Sequence, residues 1–280
     1  MTYLKIESQN YIMRQKILDL FEYREFPHLL SFVESVDREV LKEKLVAIQE
    51  AIYHLDQVLE SKWEIEDSEF DPHWENITEA LISAGVPSDQ TYSYLVNIRS
   101  YLRHEMQMRD GIAPSELDIE DYYYYKSCDV QLIRRVIYDQ SPTLQEEMNL
   151  DNWRYFDYIT EVNDDVTDII EDHDSINGNG VAFYLYDNGH EDAKRMLEGF
   201  VKVSLVQTNG LLDNNPKDRW LQFISRVTEQ ASYDTLTMIG QLKSVLLHQD
   251  IEIEENKTIR LVAQAKKLKQ ITKSNALSTN

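Results

Sequence analysis

The stretch Glu161–Asp174 reads EVNDDVTDIIEDHD, and half of its residues are acidic. Its apolar residues belong to a longer series in which Phe156, Ile159, Val162, Val166, Ile169 and Ile170 share one side of a helix from about Leu150 to Asp172. Asn177-Gly-Asn-Gly180 then stops that helix with turn chemistry. At ~100° per residue, Asn163, Thr167 and Glu171 fall at i, i+4 and i+8 and stack along one stripe about two turns long. The stripe borders the apolar face of Ile159, Val166 and Ile170, whereas Asp165 points away from it. Asp165 and Asp174 are therefore expected to be plain surface charge. A polar helix edge accounts for any single acid here. Asn, Thr and Glu at this spacing also offer three oxygen ligands to a hard divalent cation such as Mg²⁺, and spacing alone leaves both readings open.

The same periodicity extends along the chain in both directions. Leu41, Leu45, Ile48, Ile52, Leu55 and Leu59 form one apolar stripe on a helix from Val40 to Lys62. Gly85-Val-Pro87 and the stretch Gly111 to Pro114 are breaks, with a helix over Thr91–Met108 between them. Further helices are expected over about Glu120–Tyr138, Val181–Tyr186, Glu191–Thr208 and Asp218–Ile239, followed by a basic segment. Val181–Tyr186 has the composition of a buried strand, but nothing nearby alternates with period two to pair with it. With no repeat and no evident linker, the reading is an all-α, single-domain helical bundle over residues 1–273, with a disordered tail at 274–280.

Composition narrows the class of partner. The chain has 280 residues, 42% of them hydrophobic, with 8 Gly and 6 Pro, which suits a folded and mostly helical protein. A formal charge of −22 argues against nucleic acid or an anionic membrane surface as the main partner. Cys128 is the single cysteine, so an intrachain disulfide is excluded and a reducing, cytoplasmic setting is expected. The first residues show no long apolar run after a basic start, so no signal peptide is expected. No stretch approaches the ~20 apolar residues of a membrane span. The basic run Lys257–Lys273 reads as a last bundle helix in preference to an interfacial membrane helix.

Two other segments carry candidate chemistry. Asp56 and Glu60, in LDQVLE, are i and i+4 beside the apolar stripe of their helix, as in many amphipathic helices. EDYYYYKSCDVQLIRRVIYD, Glu120–Asp139, sets Lys126, Arg134 and Arg135 on a helix rich in aromatic residues. Lys126 facing a pocket would neutralise a phosphate as a point charge. Tyr122 to Tyr125 would offer aromatic faces to a cation, although four in a row point in every direction. The arginines equally suit surface pairing with the many acids. Glu25-Phe-Pro-His28 has the letters of a di-iron Glu-x-x-His element, but it contains Pro and has no second copy. His173 and His190 match no ligand spacing and are expected at the surface.

These segments together resemble a known family. NDDVTDIIE, Asn163–Glu171, matches the N-D-x-x-[S/T]-x-x-x-E motif of microbial class I terpene synthases at every defined position. NDDVTDIIED also resembles the second Asp-rich motif of the isoprenyl diphosphate and squalene/phytoene synthases, which share that fold. LDQVLE is similar to the first acidic motif, with D-x-x-x-E in place of DDxxD. KSCDV, Lys126–Val130, resembles the R-x-x-D-G element, with Lys126 for the diphosphate-sensing Arg and Val130 for Gly. The C-terminal Arg-Tyr pair of the family is absent, and Arg260 is the remaining candidate there.

The resemblance implies an isoprenoid synthase fold, with Asn163, Thr167 and Glu171 holding one Mg²⁺ and Asp56 with Glu60 holding others. It further implies diphosphate contacts from Lys126, Arg134 and Arg260. Asp129 would link the sensor to a helix break, and Tyr125 would stand against the carbocation. The expected substrate is an allylic prenyl diphosphate, cyclised as in a terpene synthase. The alternative is a prenyltransferase that passes the prenyl cation to an isoprenoid or nucleophilic small-molecule acceptor. A third reading is a non-catalytic protein that has kept the fold. A homodimer would also be in keeping with the family.

Overall fold

A computed structural model describes residues 2–61, 65–109, 117–173 and 179–251. All regular structure among the described residues is helical, with no strand. The helices are α1 (Thr2–Tyr23), α2 (Phe26–Leu30), α3 (Ser35–Ser61), α4 (Asp71–Ser83), α5 (Thr91–Arg109) and α6 (Ile119–Lys126). They continue with α7 (Cys128–Asp139), α8 (Pro142–Glu147), α9 (Arg154–Asp172), α10 (Gly180–Asn214) and α11 (Arg219–His248). None of the described helices is long and apolar enough to cross a membrane. Arg260, the basic run Lys257–Lys273 and the tail 274–280 lie outside the described residues.

The chain groups into two compact units by the contacts within each. The first comprises residues 1–98 and 128–150, and the second 99–127 and 151–280. In the first unit α3 packs against α1, α4 and α7. All six residues of its apolar stripe, from Leu41 to Leu59, are buried. Each such side chain contributes about 1.5–3 kcal/mol of transfer free energy. This periodicity, more than intrinsic propensity, is what holds a long helix in place.

In the second unit α9 packs against α6, α10 and α11, and α10 packs along α11. Phe156, Ile159, Val162, Val166 and Ile169 are buried as their spacing predicts. Ile170 is 37% exposed, because it sits at the edge of the apolar arc.

Two expected boundaries differ. The single helix over Glu120–Tyr138 is divided at Ser127, which ends α6 one residue before α7 begins. The Ser127 hydroxyl accounts for the break locally, lying 3.0 Å from the Tyr123 carbonyl and 3.1 Å from that of Tyr124. In contrast, Val181–Tyr186 and Glu191–Thr208 join into one long α10. Gly189 takes φ 70° and ψ 171° inside it and kinks the helix where a side chain would be strained.

Candidate metal and diphosphate site

Of the residues the sequence marks, the second unit contains Asn163, Thr167, Glu171, Tyr125 and Lys126. The first three share α9. Asn163 is half-buried, and its Nδ2 donates to Thr235 Oγ1 of α11 at 3.1 Å and meets the sulfur of Met238 at 3.3 Å. These contacts orient the amide. Thr167 is exposed and donates its hydroxyl proton to the Asn163 carbonyl at 2.8 Å, leaving the oxygen lone pairs outward. Glu171 is exposed one turn further on. Oxygen donors of three types thus follow one another along the open edge of α9, and oxygen is the donor atom that hard cations take.

Among the described residues, no group of three or more His, Cys, Asp or Glu side chains is arranged to hold a metal. A cation at this edge would therefore draw on Asn163 and Thr167 as well as Glu171, with water and substrate oxygens completing the shell. The donor chemistry fits Mg²⁺ on those terms. Asp168, beside the stripe, is pushed up to about 6 by desolvation and by the carboxylates of Asp172, Asp164, Glu171 and Asp165. Crowded acids of this kind gain from a nearby divalent cation.

The other side of α9 overturns the expectation for Asp165. It is only 2% exposed, and both of its oxygens are engaged. Its Oδ1 lies 2.6 Å from Lys126 Nζ, while Oδ2 accepts from the Tyr123 hydroxyl at 3.0 Å and from Gly180 N at 2.9 Å. The physical reason is tertiary. α6 and the start of α10 cover the flank of α9 that sequence spacing leaves to solvent. Glu161 and Asp157, one and two turns back from Asp165, are buried on that same flank. Asp174 lies outside the described residues.

The end of α6 and the start of α10 are built for this contact. Asp118 caps α6 by accepting from Glu120 N at 2.8 Å, and Ser127 terminates the helix, so that Lys126 ends it. Asn179 caps α10 by accepting from Ala182 N at 3.0 Å. Its amide donates to the Asp165 carbonyl at 2.8 Å and to Asp172 at 2.9 Å. A Cβ on Gly180 would come within 2.7 Å of the Tyr122 ring and 3.0 Å of the Tyr123 hydroxyl. Only glycine lets the first N–H of α10 reach the carboxylate, and the helix dipole favours the negative charge there.

Burial lowers the affinity of Lys126 for its proton, but Asp165, Tyr122 and Glu161 outweigh it and hold the ammonium well above its usual range. Burial pushes Asp165 up, against the opposing pull of Lys126, Tyr123 and the Gly180 N–H. Burial likewise pushes the phenols of Tyr122 and Tyr123 well up, so both remain neutral donors. Around the pair, Tyr123 and Tyr158 each stack on Phe200, at 5.6 and 5.8 Å between centroids. Tyr125 is half-buried with its ring 5.0 Å from His104. Of the four consecutive tyrosines, Tyr122 and Tyr123 are the buried ones.

The first unit contains the remaining candidates. Asp56 is exposed on α3, and Glu60 lies on the same helix with its side chain outside the description. Asp129, in the first turn of α7, accepts from Gln49 of α3 at 2.7 Å and from Val130 N at 2.7 Å. Arg134 is 2% exposed, with its guanidinium 5.6 Å from the centre of the Phe26 ring, so it is built into the core of this unit. His190, expected at the surface, has a side chain only 16% exposed beside the Gly189 kink.

Sequence reasoning took Asp165 for surface charge and gave Asn179 and Gly180 no part beyond ending a helix. The preference of Asn for helix N-caps could have marked Asn179, and a Gly immediately after it hints at close packing. Nothing local could have marked Asp165. Comparison with protein-family models, with curated proteins and with solved structures finds no match to this chain.

Proposed function

We propose that the chain is a divergent, Mg²⁺-dependent class I isoprenoid enzyme that ionises an allylic prenyl diphosphate and cyclises the resulting cation. One observation carries this reading. The oxygen donors of Asn163, Thr167 and Glu171 lie in line along one open edge of α9, with the Asn163 amide held in place by Thr235 and Met238. A diphosphate leaving group needs charge neutralisation, and a nucleophile or general base is not required. Mg²⁺, when bound, supplies most of that neutralisation as a Lewis acid.

In this reading, Asn163, Thr167 and Glu171 hold the cation, and Lys126, which Asp165 holds on the other flank of α9, is the diphosphate contact that the resemblance suggests. Met238 and Thr235 keep the Asn163 amide turned so that its carbonyl oxygen is the ligand. The stack of Tyr123, Phe200 and Tyr158 keeps water from the cation. Tyr125 is the further aromatic face that the resemblance suggests.

The test is incubation of purified protein with Mg²⁺ and geranyl, farnesyl or geranylgeranyl diphosphate, following pyrophosphate release and organic products. Cyclic hydrocarbon or alcohol formed without an acceptor supports cyclisation. Release that begins only when an isoprenoid or nucleophilic acceptor is added reassigns the chain to prenyl transfer. No release with any of them, or release unchanged by Asn163→Ala and Glu171→Ala, defeats the reading and favours a non-catalytic protein. Lys126→Gln is expected to slow release about 10²–10³-fold, the usual cost of losing one charge-stabilising donor.

A further inference from the structure

One face of α10 is turned away from the helices that hold it. Leu197, Val201, Ser204 and Thr208 are buried on the side that packs against α9 and α11. On the opposite side, Gly199, Val203, Val206 and Gly210 fall within about 60° of one another at ~100° per residue. Val203 is 57% and Val206 67% exposed. A Cβ added at Gly199 or Gly210 would meet no atom of another described element within 4 Å. An interior glycine weakens a helix relative to alanine, and the fold around α10 gives no steric reason for either one. What the two glycines allow is the close approach of another backbone to this face.

Symmetry and charge both point to a second copy of the chain as the backbone that approaches. The steps from 199 to 203, 203 to 206 and 206 to 210 are four, three and four residues, the same from either end. An antiparallel copy of α10 laid across this face therefore sets Gly199 against Gly210 and Val203 against Val206, twice over, about one two-fold axis. The chain carries a charge of −22, which keeps copies apart over most of its surface. From Met196 to Gly210, however, Glu198 is the one acid, and Lys194 and Lys202 lie 3.8 and 2.9 Å from it. At the rim, Arg195 is exposed in a pair with Asp192, and Asp213 is exposed on the same flank of α10 as Arg195. Residues 195 and 213 stand almost evenly about the midpoint between 204 and 205. The antiparallel fit thus brings Arg195 of each copy beside Asp213 of the other.

We propose that this face of α10 is a self-complementary docking surface for a second copy of the chain, joined antiparallel through Gly199, Val203, Val206 and Gly210. The inference is independent of the functional reading above. The homodimer in keeping with the resemblance comes with no surface, and this one is read from α10 alone. The seam is about 16 Å long at ~1.5 Å per residue. That is short against the interfaces of permanent dimers, so the association is reversible and in the micromolar range.

The experiment is sedimentation equilibrium of the full chain from about 1 to about 200 µM, a range that spans weak interfaces. The mass should rise with concentration from 33.0 kDa toward twice that value. Val203→Glu and Val206→Glu bring acids together across the seam and should each weaken association about tenfold or more. Both positions are exposed, so their thermal melts should stay near wild type. Gly199→Ala and Gly210→Ala should raise the Tm of dilute protein by about 1–4 °C and yet weaken the dimer. Arg195→Glu and Asp213→Lys should each weaken it, and the double variant should restore it. Protein that is monomeric at every concentration overturns the proposal. So does a dimer that neither Val203→Glu nor the charge changes weaken, because its contact then lies elsewhere. Wild-type monomer that floats with phosphatidylcholine vesicles, and fails to float as Val203→Glu, overturns it in favour of a lipid surface.

Discussion

Two sides of the same helix differ in almost every physical respect. Along one edge of α9, Thr167 and Glu171 are exposed and Asn163 is held only by its amide. On the opposite flank Asp165 is sealed under α6 and the start of α10, with three donors on its two oxygens. The first edge is cheap to alter and chemically open. The second is buried and structural. The contrast separates an edge that is open to a ligand from a flank that holds α6, α9 and the start of α10 together.

The most direct way to break this contrast is to delete both carboxylates and compare stability. Asp165→Ala leaves Lys126 buried without its counter-ion and should cost about 3–5 kcal/mol in urea or guanidinium unfolding. Glu171→Ala should stay within about 0.5 kcal/mol of wild type. Equal losses would remove the distinction between the two sides. Gly180→Ala drives a methyl to 2.7 Å from the Tyr122 ring and should cost about 1–3 kcal/mol by overpacking, read in the same unfolding experiment. A neutral result would show that the start of α10 can retreat from Asp165.

Asn163→Ala sharpens the comparison from the open side. It forfeits the bond to Thr235 and should cost about 1 kcal/mol of stability, while pyrophosphate release falls about 10²-fold or more. A stability loss without a rate effect would make Asn163 a packing residue of α9 and α11.

The smallest expected effect is on pH dependence. Asp168 titrates near 6 in the folded chain, above its unfolded value of 3.8. The folded state therefore binds more protons between those values, so the contribution of this group to stability falls as pH rises from about 4 to 6 and is level above. Carboxyl-carbon NMR should find this titration, and Mg²⁺ should draw it downward if the cation binds beside it. Asp172→Asn should lower it only in part, because desolvation is the larger cause.

A second comparison concerns α6 and α7, which the sequence presents as one helix with several cations on it. Lys126 ends α6 in a buried pair with Asp165, whereas Arg134 of α7 lies against Phe26 in the core of the first unit. Both are buried basic residues, so residue type and charge do not distinguish their roles. Their partners do.

The all-helical architecture was legible because it rests on local periodicity. The stripes of α3 and α9 repeat every three or four residues, and burial followed them closely. The Asn163–Thr167–Glu171 alignment was legible for the same reason, since three residues on one helix need no tertiary information to share an edge. The break at Ser127 was not, because a single serine turning its hydroxyl onto the Tyr123 and Tyr124 carbonyls gives no periodic signal. The grouping into two compact units was equally hidden, for it joins residues 128–150 to the first part of the chain across the intervening 99–127. Asp165 was misjudged because the sequence reports which direction a side chain leaves its own helix and says nothing about what stands there.

The sequence by itself therefore determined the helices and the order of oxygen donors along α9, since both follow from the 3.6-residue repeat of a single segment. Only the tertiary structure decided which of the acids on α9 is buried. That outcome depends on Lys126, 39 residues earlier in the chain, and on Gly180, 15 residues later, meeting one carboxylate.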